Sequence, residues 1–234
     1  MKRIKLVVAY DGTAYHGWQL QPGALTIEGE LNKALSRLLG EQIKVIGASR
    51  TDSGVHALGN VAVFDTECRI PAEKLSYALN QKLPEDIRIQ SSCEVEPDFH
   101  PRHCRCDSRK TYEYRILCRE FPQPVKRLYS YFTYHKLDVK RMQEAAAYLV
   151  GEHDFKSFCS VNTVVESTVR RLDSVAVEEQ GEEIVIRVRG NGFLYNMVRI
   201  IAGTLMEVGM GKTEPEELPG ILNALDRQAA GPTA

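Results

Sequence analysis

The sequence predicts an α+β protein: two similar strand-and-helix halves, with mixed or antiparallel sheets and helices packed on them. Three observations carry this. Short apolar or alternating runs of strand length are interleaved with segments of helical periodicity. The same pattern restarts after residues 97–109. In the second half, two alternating runs follow each other around Gln180-Gly181, as an antiparallel pair would. The halves, 1–105 and 106–234, agree in pattern and not in residues, so no sequence repeat is implied.

Taken in order, "IKLVVAY" (4–10) reads as a strand. "TIEGELNKALSRLLG" (26–40) reads as a helix with Thr26 as N-cap and Gly40 just past its end; Ile27, Leu31, Ala34, Leu35 and Leu38 fall on one face. "IKVIGAS" (43–49) and "GNVAVFDTE" (59–67) are strands, and "PAEKLSYALNQKL" (71–83) is a helix with Pro71 in its first turn. "DIRIQSSCEV" (86–95) closes the first half as a strand. The second opens with the strand "KTYEYRILC" (110–118), followed by a helix over 138–151 closed by Gly151. A strand pair spans 167–190, and an apolar helix spans 193–209.

Composition excludes several classes. The 234 residues are 43% hydrophobic and 26% charged, ordinary for a globular protein with a real core. No apolar run approaches the roughly 18 residues that span a bilayer. The N-terminus lacks a small-residue cleavage site, which predicts a cytoplasmic protein. Its six cysteines have no disulfide-framework spacing and are expected to stay thiols there. The net charge of −1 does not advertise a nucleic-acid partner, but its placement is uneven. Arg102, Arg105, Arg109, Lys110, Arg115, Arg119, Lys126 and Arg127 are opposed only by Asp107, Glu113 and Glu120. Such a stretch either tracks phosphates or is a solvated charged surface.

Three motifs fail on their chemistry. "VGMGKT" (208–213) has Met206 where a phosphate-binding loop needs its first glycine, and it follows a helix instead of a strand. "YDGT" (10–13) has Ala9 where an Asp-x-Asp-Gly-Thr nucleophile loop needs its first aspartate. "HCRC" (103–106) lacks the Cys-x₂₋₄-Cys spacing of a closed zinc site, and no second His/Cys cluster follows, so no metal is expected. "ASRTDSGVHA" (48–57) is different. It sets Asp52 among small residues, with Gly54 free to turn the backbone, between Arg50 and His56. The carboxylate either caps its own turn or projects into a cleft, kept ionised by a neighbouring cation.

"SRTDSGVHALGNVAVF" resembles the signature of the TruA family of tRNA pseudouridine synthases. "YDGTAYHGWQLQPGALTIEGELNKAL", "LNQKLPEDIRI", "DFHPR", "KTYEYRI" and "NGFLYNMVRIIAGTLMEVG" are also family-like and in family order, so the resemblance covers essentially the whole chain. It implies a pseudouridine synthase fold with an active-site cleft between the halves. By position it makes Asp52 the catalytic aspartate, Tyr112 the tyrosine that stacks on the target uracil, and Arg199 the arginine paired with the aspartate. Arg50 and His56 would contact RNA, and Arg109 and Lys110 in the basic stretch are expected to meet phosphates. The segment between His100 and Tyr112 is about two residues longer than is usual in the family, which keeps Tyr114 as an alternative for the tyrosine.

The implied reaction breaks the uracil N1–ribose bond, turns the base and joins C5 to the same ribose carbon. It needs no redox, metal or nucleotide cofactor, but it does need an exposed base, an aromatic surface and an anionic carboxylate acting as nucleophile or base. The implied substrate is the anticodon stem-loop of tRNAs at positions 38, 39 and 40, and the implied assembly a homodimer. The alternatives are a catalytically impaired RNA-binding homologue and a synthase acting on another RNA. "LDRQAAGPTA" has loop composition, so the sequence predicts an untied end. Family chains usually continue into one more strand. This sequence therefore reads as a fragment whose neighbouring strand, within 173–190, has an unpaired edge.

Overall fold

A computed structural model describes residues 1–102, 108–161 and 165–234. The "HCRC" segment lies outside them. The chain forms two compact units, Met1–Cys106 and Asp107–Ala234.

The first unit is a four-stranded antiparallel sheet, ordered β2-β3-β1-β4, with two helices. In β1 (Lys2–Tyr10), Ile4, Leu6, Val8 and Tyr10 are buried and alternate with half-buried neighbours, the period of a strand with one covered face. It pairs with β3 (Ala57–Thr66) and β4 (Ile87–Val95). The face is covered by α1 (Ile27–Leu39), which buries Ile27, Leu31, Ala34 and Leu35. Thr26 accepts from Gly29 N–H, and Gly40, at φ 70°, ends the helix with its N–H on Ser36 O, as the sequence predicts. The expected strand over 43–49 is shorter: β2 is only Ile46–Gly47. Val45 and Ser49, on either side, bond side chains instead, Asn32 and Asn60. The helix over 71–83 is likewise a 3₁₀ turn, Ala72–Lys74, running into α2 (Leu75–Asn80). The side chain of Asn80, the last residue of α2, bonds both backbone groups of Ile89.

The second unit is a mixed five-stranded sheet, β6-β5-β9-β8-β7. β5 (Lys110–Cys118) pairs antiparallel with β9 (Glu183–Gly190) and parallel with the short β6 (Tyr131–Thr133). β8 (Val169–Gln180) lies between β9 and β7 (Gly151–Asp154). The helix expected over 138–151 ends earlier: α3 is Val139–Ala147, and Gly151, at φ 118°, opens β7. The helix expected over 193–209 begins later, as α4 (Met197–Gly209), because Asn196 takes a left-handed conformation at φ 59° and turns the chain into it. Almost every α4 residue is buried; Arg199, in its first turn, is exposed. "VGMGKT" is the end of α4 and the turn beyond it, with Gly211 at φ 72°.

The expectation of an unpaired edge within 173–190 holds for part of that range: β9 has neighbours on both sides, but β7 pairs only with Val169–Leu172 of β8, so among the described residues Ser174–Gln180 ladder with β9 alone. The untied end is overturned. Gly231 N–H donates to Thr204 Oγ1 at 3.0 Å, and Ala234 N–H donates to Arg199 O at 3.2 Å. Loop composition tells how a segment folds on itself; here its backbone docks on α4 after the short α5 (Leu218–Ala224).

Candidate active site

Asp52 lies in the loop 48–56 that joins β2 to β3, and that loop is fixed from several directions. Thr51 is buried; its hydroxyl is 2.7 Å from Tyr10 Oη, and its carbonyl accepts from Trp18 N–H at 3.0 Å. Beyond Asp52, Ser53 Oγ and Gly54 N–H both donate to Tyr15 O. Val55 N–H donates to Asp52 O at 3.2 Å, closing a turn around Gly54, whose φ of 76° suits glycine. Upstream, the buried Asn60 side chain bonds both the N–H and the carbonyl of Ser49. The residues on both sides of Asp52 are therefore anchored while its half-buried carboxylate occupies the bend.

The anchors come from "YDGTAYHGW". A methyl at Gly12 would lie 2.1 Å from Val55 O, and one at Gly17 2.6 Å from Thr51 O, so the two segments touch backbone to backbone. His56 completes the contact. Its Nδ1 is 3.1 Å from Gly12 N and 3.0 Å from Asp11 Oδ1, so it accepts from the amide when unprotonated and donates to the carboxylate when protonated. Asp11 Oδ1 also accepts from the Thr13 N–H and hydroxyl. The Asp-Gly-Thr run that fails as a nucleophile loop is thus a turn supporting the Asp52 loop, and the His56 edge expected at RNA holds that loop to the end of β1.

Arg50 is exposed beside Asp52 in the chain. Arg102, from "DFHPR", reaches the end of β2, where its Nε donates to Gly47 O at 2.7 Å. Burial, and then repulsion from the Arg50 guanidinium, hold the Arg102 guanidinium below its usual range. The Arg102 side chain is thus tied by Gly47 O just ahead of the Asp52 loop and feels the charge of Arg50. The sequence reading counted Arg102 only within the basic stretch and did not place it near the Asp52 loop; the "DFHPR" motif was the available signal.

In the second unit, Tyr112 and Tyr114 share the face of β5 that packs toward the core. The Tyr112 ring meets Phe193 edge-on, with centroids 4.9 Å apart and planes at 74°. Burial pushes the Tyr114 hydroxyl up to about 12, opposed by the nearby Arg199 guanidinium. Arg199 Nε also donates to Ala234 O at 2.6 Å. Tyr112, Phe193, Tyr114 and Arg199 therefore cluster around the start of α4. Phe193 escaped the sequence reading because it falls inside a segment read wholly as helix.

The basic stretch is not a uniform phosphate-binding face. Arg109 is ion-paired with Asp173. Arg115 contacts Glu113 and Glu183, Lys126 contacts Glu183 and Arg119 contacts Glu182. Burial would raise the Glu183 carboxyl, but hydrogen bonds from Lys126 and Arg115 outweigh it, and the net shift is downward. The neutralising carboxylates of Asp173, Glu182 and Glu183 lie some sixty residues away, outside any window of local charge. Lys110 is half-buried at the start of β5, opposite Gly190. Among the described residues no cluster of three or more His, Cys, Asp or Glu could hold a metal, and Cys68, Cys93, Cys118 and Cys159 are free thiols. No described helix is long and apolar enough to cross a membrane.

A mixed and an antiparallel sheet with packed helices, and an aspartate fixed in a loop beside arginines, define the class, and comparison with known proteins agrees. The sequence matches the family described as tRNA pseudouridine synthase over residues 6–103 and 145–234. It is 47% identical over 234 residues to tRNA pseudouridine synthase A of Acetivibrio thermocellus, covering all of this chain and 95% of that one. The same-named proteins of Brevibacillus brevis and Halalkalibacterium halodurans are 50% and 46% identical over 235 residues, with 95% and 89% of their lengths covered. The chain belongs to the tRNA pseudouridine synthase family, whose members are isomerases. Asp52 and Arg199 fall inside the matched segments; Tyr112 falls between them, where the full-length relatives still align.

Proposed function

We propose that this chain converts uridine to pseudouridine at positions 38, 39 and 40 in the anticodon stem-loop of tRNAs, with Asp52 as the catalytic carboxylate. The observation that carries the reading is the loop 48–56, where backbone and side-chain bonds fix the neighbours of one carboxylate on both sides. A site held this firmly is what a reaction with a detached base intermediate requires, because a reacting group misplaced by about 1 Å loses about a hundredfold in rate. In the reaction the N1–C1′ bond breaks, the uracil turns, and C5 bonds to C1′. The C5 hydrogen leaves as a proton and N1 ends protonated. Asp52 acts on the ribose side, as nucleophile or base, and both routes need it anionic. Tyr112 offers the freed uracil its ring face, and Arg199 serves as the cationic partner of Asp52. Arg50 and Arg102 take phosphates flanking the flipped nucleotide. The enzyme works as a homodimer in the cytoplasm and needs no cofactor.

Asp52→Asn keeps the shape of the side chain and removes its nucleophilic and basic character. On a tRNA transcript with uridine at 38–40, the variant should form no pseudouridine while its tRNA dissociation constant stays within about twofold of wild type. Activity within tenfold of wild type would remove Asp52 from the central role.

A further inference from the structure

The outer face of the second sheet carries alternating charges, and along most of it the signs balance. Arg187 lies between Glu113 and Glu178, at 3.0 and 3.2 Å, and Arg115 between Glu113 and Glu183, at 2.9 and 3.2 Å. At the end where β5 begins and β9 finishes, the balance fails. There, among the described residues, a single carboxylate, Asp173, faces three guanidiniums. Arg109 is paired with it, Arg171 Nε lies 3.8 Å from its Oδ1, and Arg189 Nε lies 4.0 Å from its Oδ2.

A bulge produces this arrangement. In the β8–β9 ladder Leu172 pairs with Gly190 and Ser174 with Arg189, leaving Asp173 as the extra residue. The polar pair Asp173-Ser174 interrupts the alternation of β8 while Leu172 remains buried in the core. Asp173 is thereby turned toward both Arg189 and Arg109, which precedes β5. The side chains of Arg171 and Arg189 are 61% and 56% exposed, and at about 4 Å their contacts with Asp173 are too long for hydrogen bonds. Neither guanidinium makes another hydrogen bond among the described residues, so their forked donors face solvent beside a site of net positive charge. Asp173 satisfies Arg109, whose side chain is only 19% exposed, and leaves the other two available.

We infer that Arg171 and Arg189, gathered by Asp173 at the bulge, bind backbone phosphodiester of the tRNA outside the catalytic pocket. Guanidinium pairs suit phosphate because each offers parallel N–H donors matched to two of its oxygens. The site has a defined place relative to the chemistry. Arg189 pairs across β5 with Thr111, next to Tyr112, and Tyr112 itself packs on the opposite, core-facing side of the sheet. The cluster therefore grips RNA one residue along the strand from the base-stacking tyrosine, but from the other face. The inference rests on tRNA being the substrate. It adds, to the contact proposed at Arg102, two exposed arginines from β8 and β9 that lie outside the basic stretch 102–127.

The test is a salt titration of tRNA binding by wild type, Arg171→Ala, Arg189→Ala and the double variant, with Arg119→Ala as a control that loses the same charge. Arg119 pairs with Glu182, beside the β8–β9 turn at the far end of the sheet. Each arginine that meets a phosphate should flatten the slope of log affinity against log salt by about one unit, and the double variant by up to about two. Arg119→Ala should keep the wild-type slope. A double variant whose slope matches that of Arg119→Ala overturns the inference. So does inorganic phosphate at low millimolar concentration saturating the cluster without competing with tRNA, which would assign the site to a free anion. Pseudouridine formation by wild type, measured on the same transcript, separates the two readings. If wild type modifies the tRNA and the slopes do not move, only the phosphate site falls. If wild type forms no pseudouridine, the substrate reading falls and the inference with it.

Discussion

Gly17 offers the sharpest test of how the Asp52 loop is held. Its φ of 87° lies in the left-handed region, and a methyl there would sit 2.6 Å from Thr51 O and 3.1 Å from the Asp52 carbonyl carbon. Gly23, six residues on, also has a left-handed φ, 73°, but nothing lies within 4 Å of the position its methyl would take. Gly23→Ala therefore carries only the backbone cost, about 1–2 kcal/mol. Gly17→Ala carries that cost and also forces the Thr51–Asp52 backbone back by about half an ångström to restore van der Waals distance. Overpacking of this kind adds about 1–3 kcal/mol. The sum still lies inside the ~5–15 kcal/mol stability of an ordinary domain, so the variant should fold. Its rate should suffer more than its stability, because displacement of a reacting group by about 1 Å costs about a hundredfold. We expect a single-turnover rate some ten- to a hundredfold below that of Gly23→Ala, with tRNA binding changed by less than about threefold. The assay is release of tritium from uridine labelled at C5, which is lost only when C5 bonds to the ribose, alongside thermal melts of both variants. A folded Gly17→Ala enzyme within about threefold of Gly23→Ala would refute the idea that this backbone contact sets the position of Asp52.

Three further outcomes follow from the geometry. Phe193→Leu keeps an apolar side chain but removes the edge-on partner of Tyr112, a contact worth about 0.5–1.5 kcal/mol; single-turnover rate should fall severalfold at unchanged tRNA affinity, and an unchanged rate would detach Phe193 from the site. A hydrogen bond and charge attraction from Arg3 hold the Asp65 carboxyl below its ordinary value of 3.8, so its contribution to stability is full above that value and lost as pH falls through the lowered one. Asp65→Asn should accordingly melt earlier than wild type at pH 7, with the gap closing as the medium is acidified below 3.8; a gap independent of pH would contradict the pairing. Gly203→Ala pits two effects against each other: helix propensity favours alanine by about 1 kcal/mol, but the methyl would lie 1.9 Å from Pro232 O, so the variant should melt at a lower temperature, and a higher one would mean that the terminal segment does not dock on α4.

Much of this was legible in the sequence because it is local. The cap residues Thr26 and Gly40, the alternation of β1 and the strand pair around Gln180-Gly181 each reflect chemistry within a few residues, and each appears where the pattern puts it. The errors share the opposite cause. Helix 71–83 is cut short because Asn80 prefers the backbone of Ile89, and strand 43–49 because Asn32 and Asn60 take its amides. The basic stretch looked exposed to phosphates because the carboxylates that neutralise it come from β8 and β9 and from the turn between them. The tail looked untied because its bonds are to Thr204 and Arg199.

The same distinction explains why "YDGTAYHGW" and "SRTDSGVHA" are separate motifs in the chain and one object in the fold. Read alone, the first suggests a nucleophile loop with one aspartate missing, and the second a turn with an ambiguous carboxylate. In the structure Gly12 and Gly17 are the places where two backbones touch, and Tyr10, Tyr15, Trp18 and Asp11 supply the bonds around them. Gly12 is not needed for the local conformation: it has no positive φ, and a side chain there is excluded by Val55, forty-three residues away. A catalytic residue on a loop usually gives up precision for access. In the role proposed for Asp52, access is kept because the residue sits in the bend, and precision comes from a second loop, residues 10–18. Substitutions in residues 10–18 should therefore damage the chemistry of Asp52 without touching it, and the backbone contact at Gly17 is the place where that reasoning is most exposed to measurement.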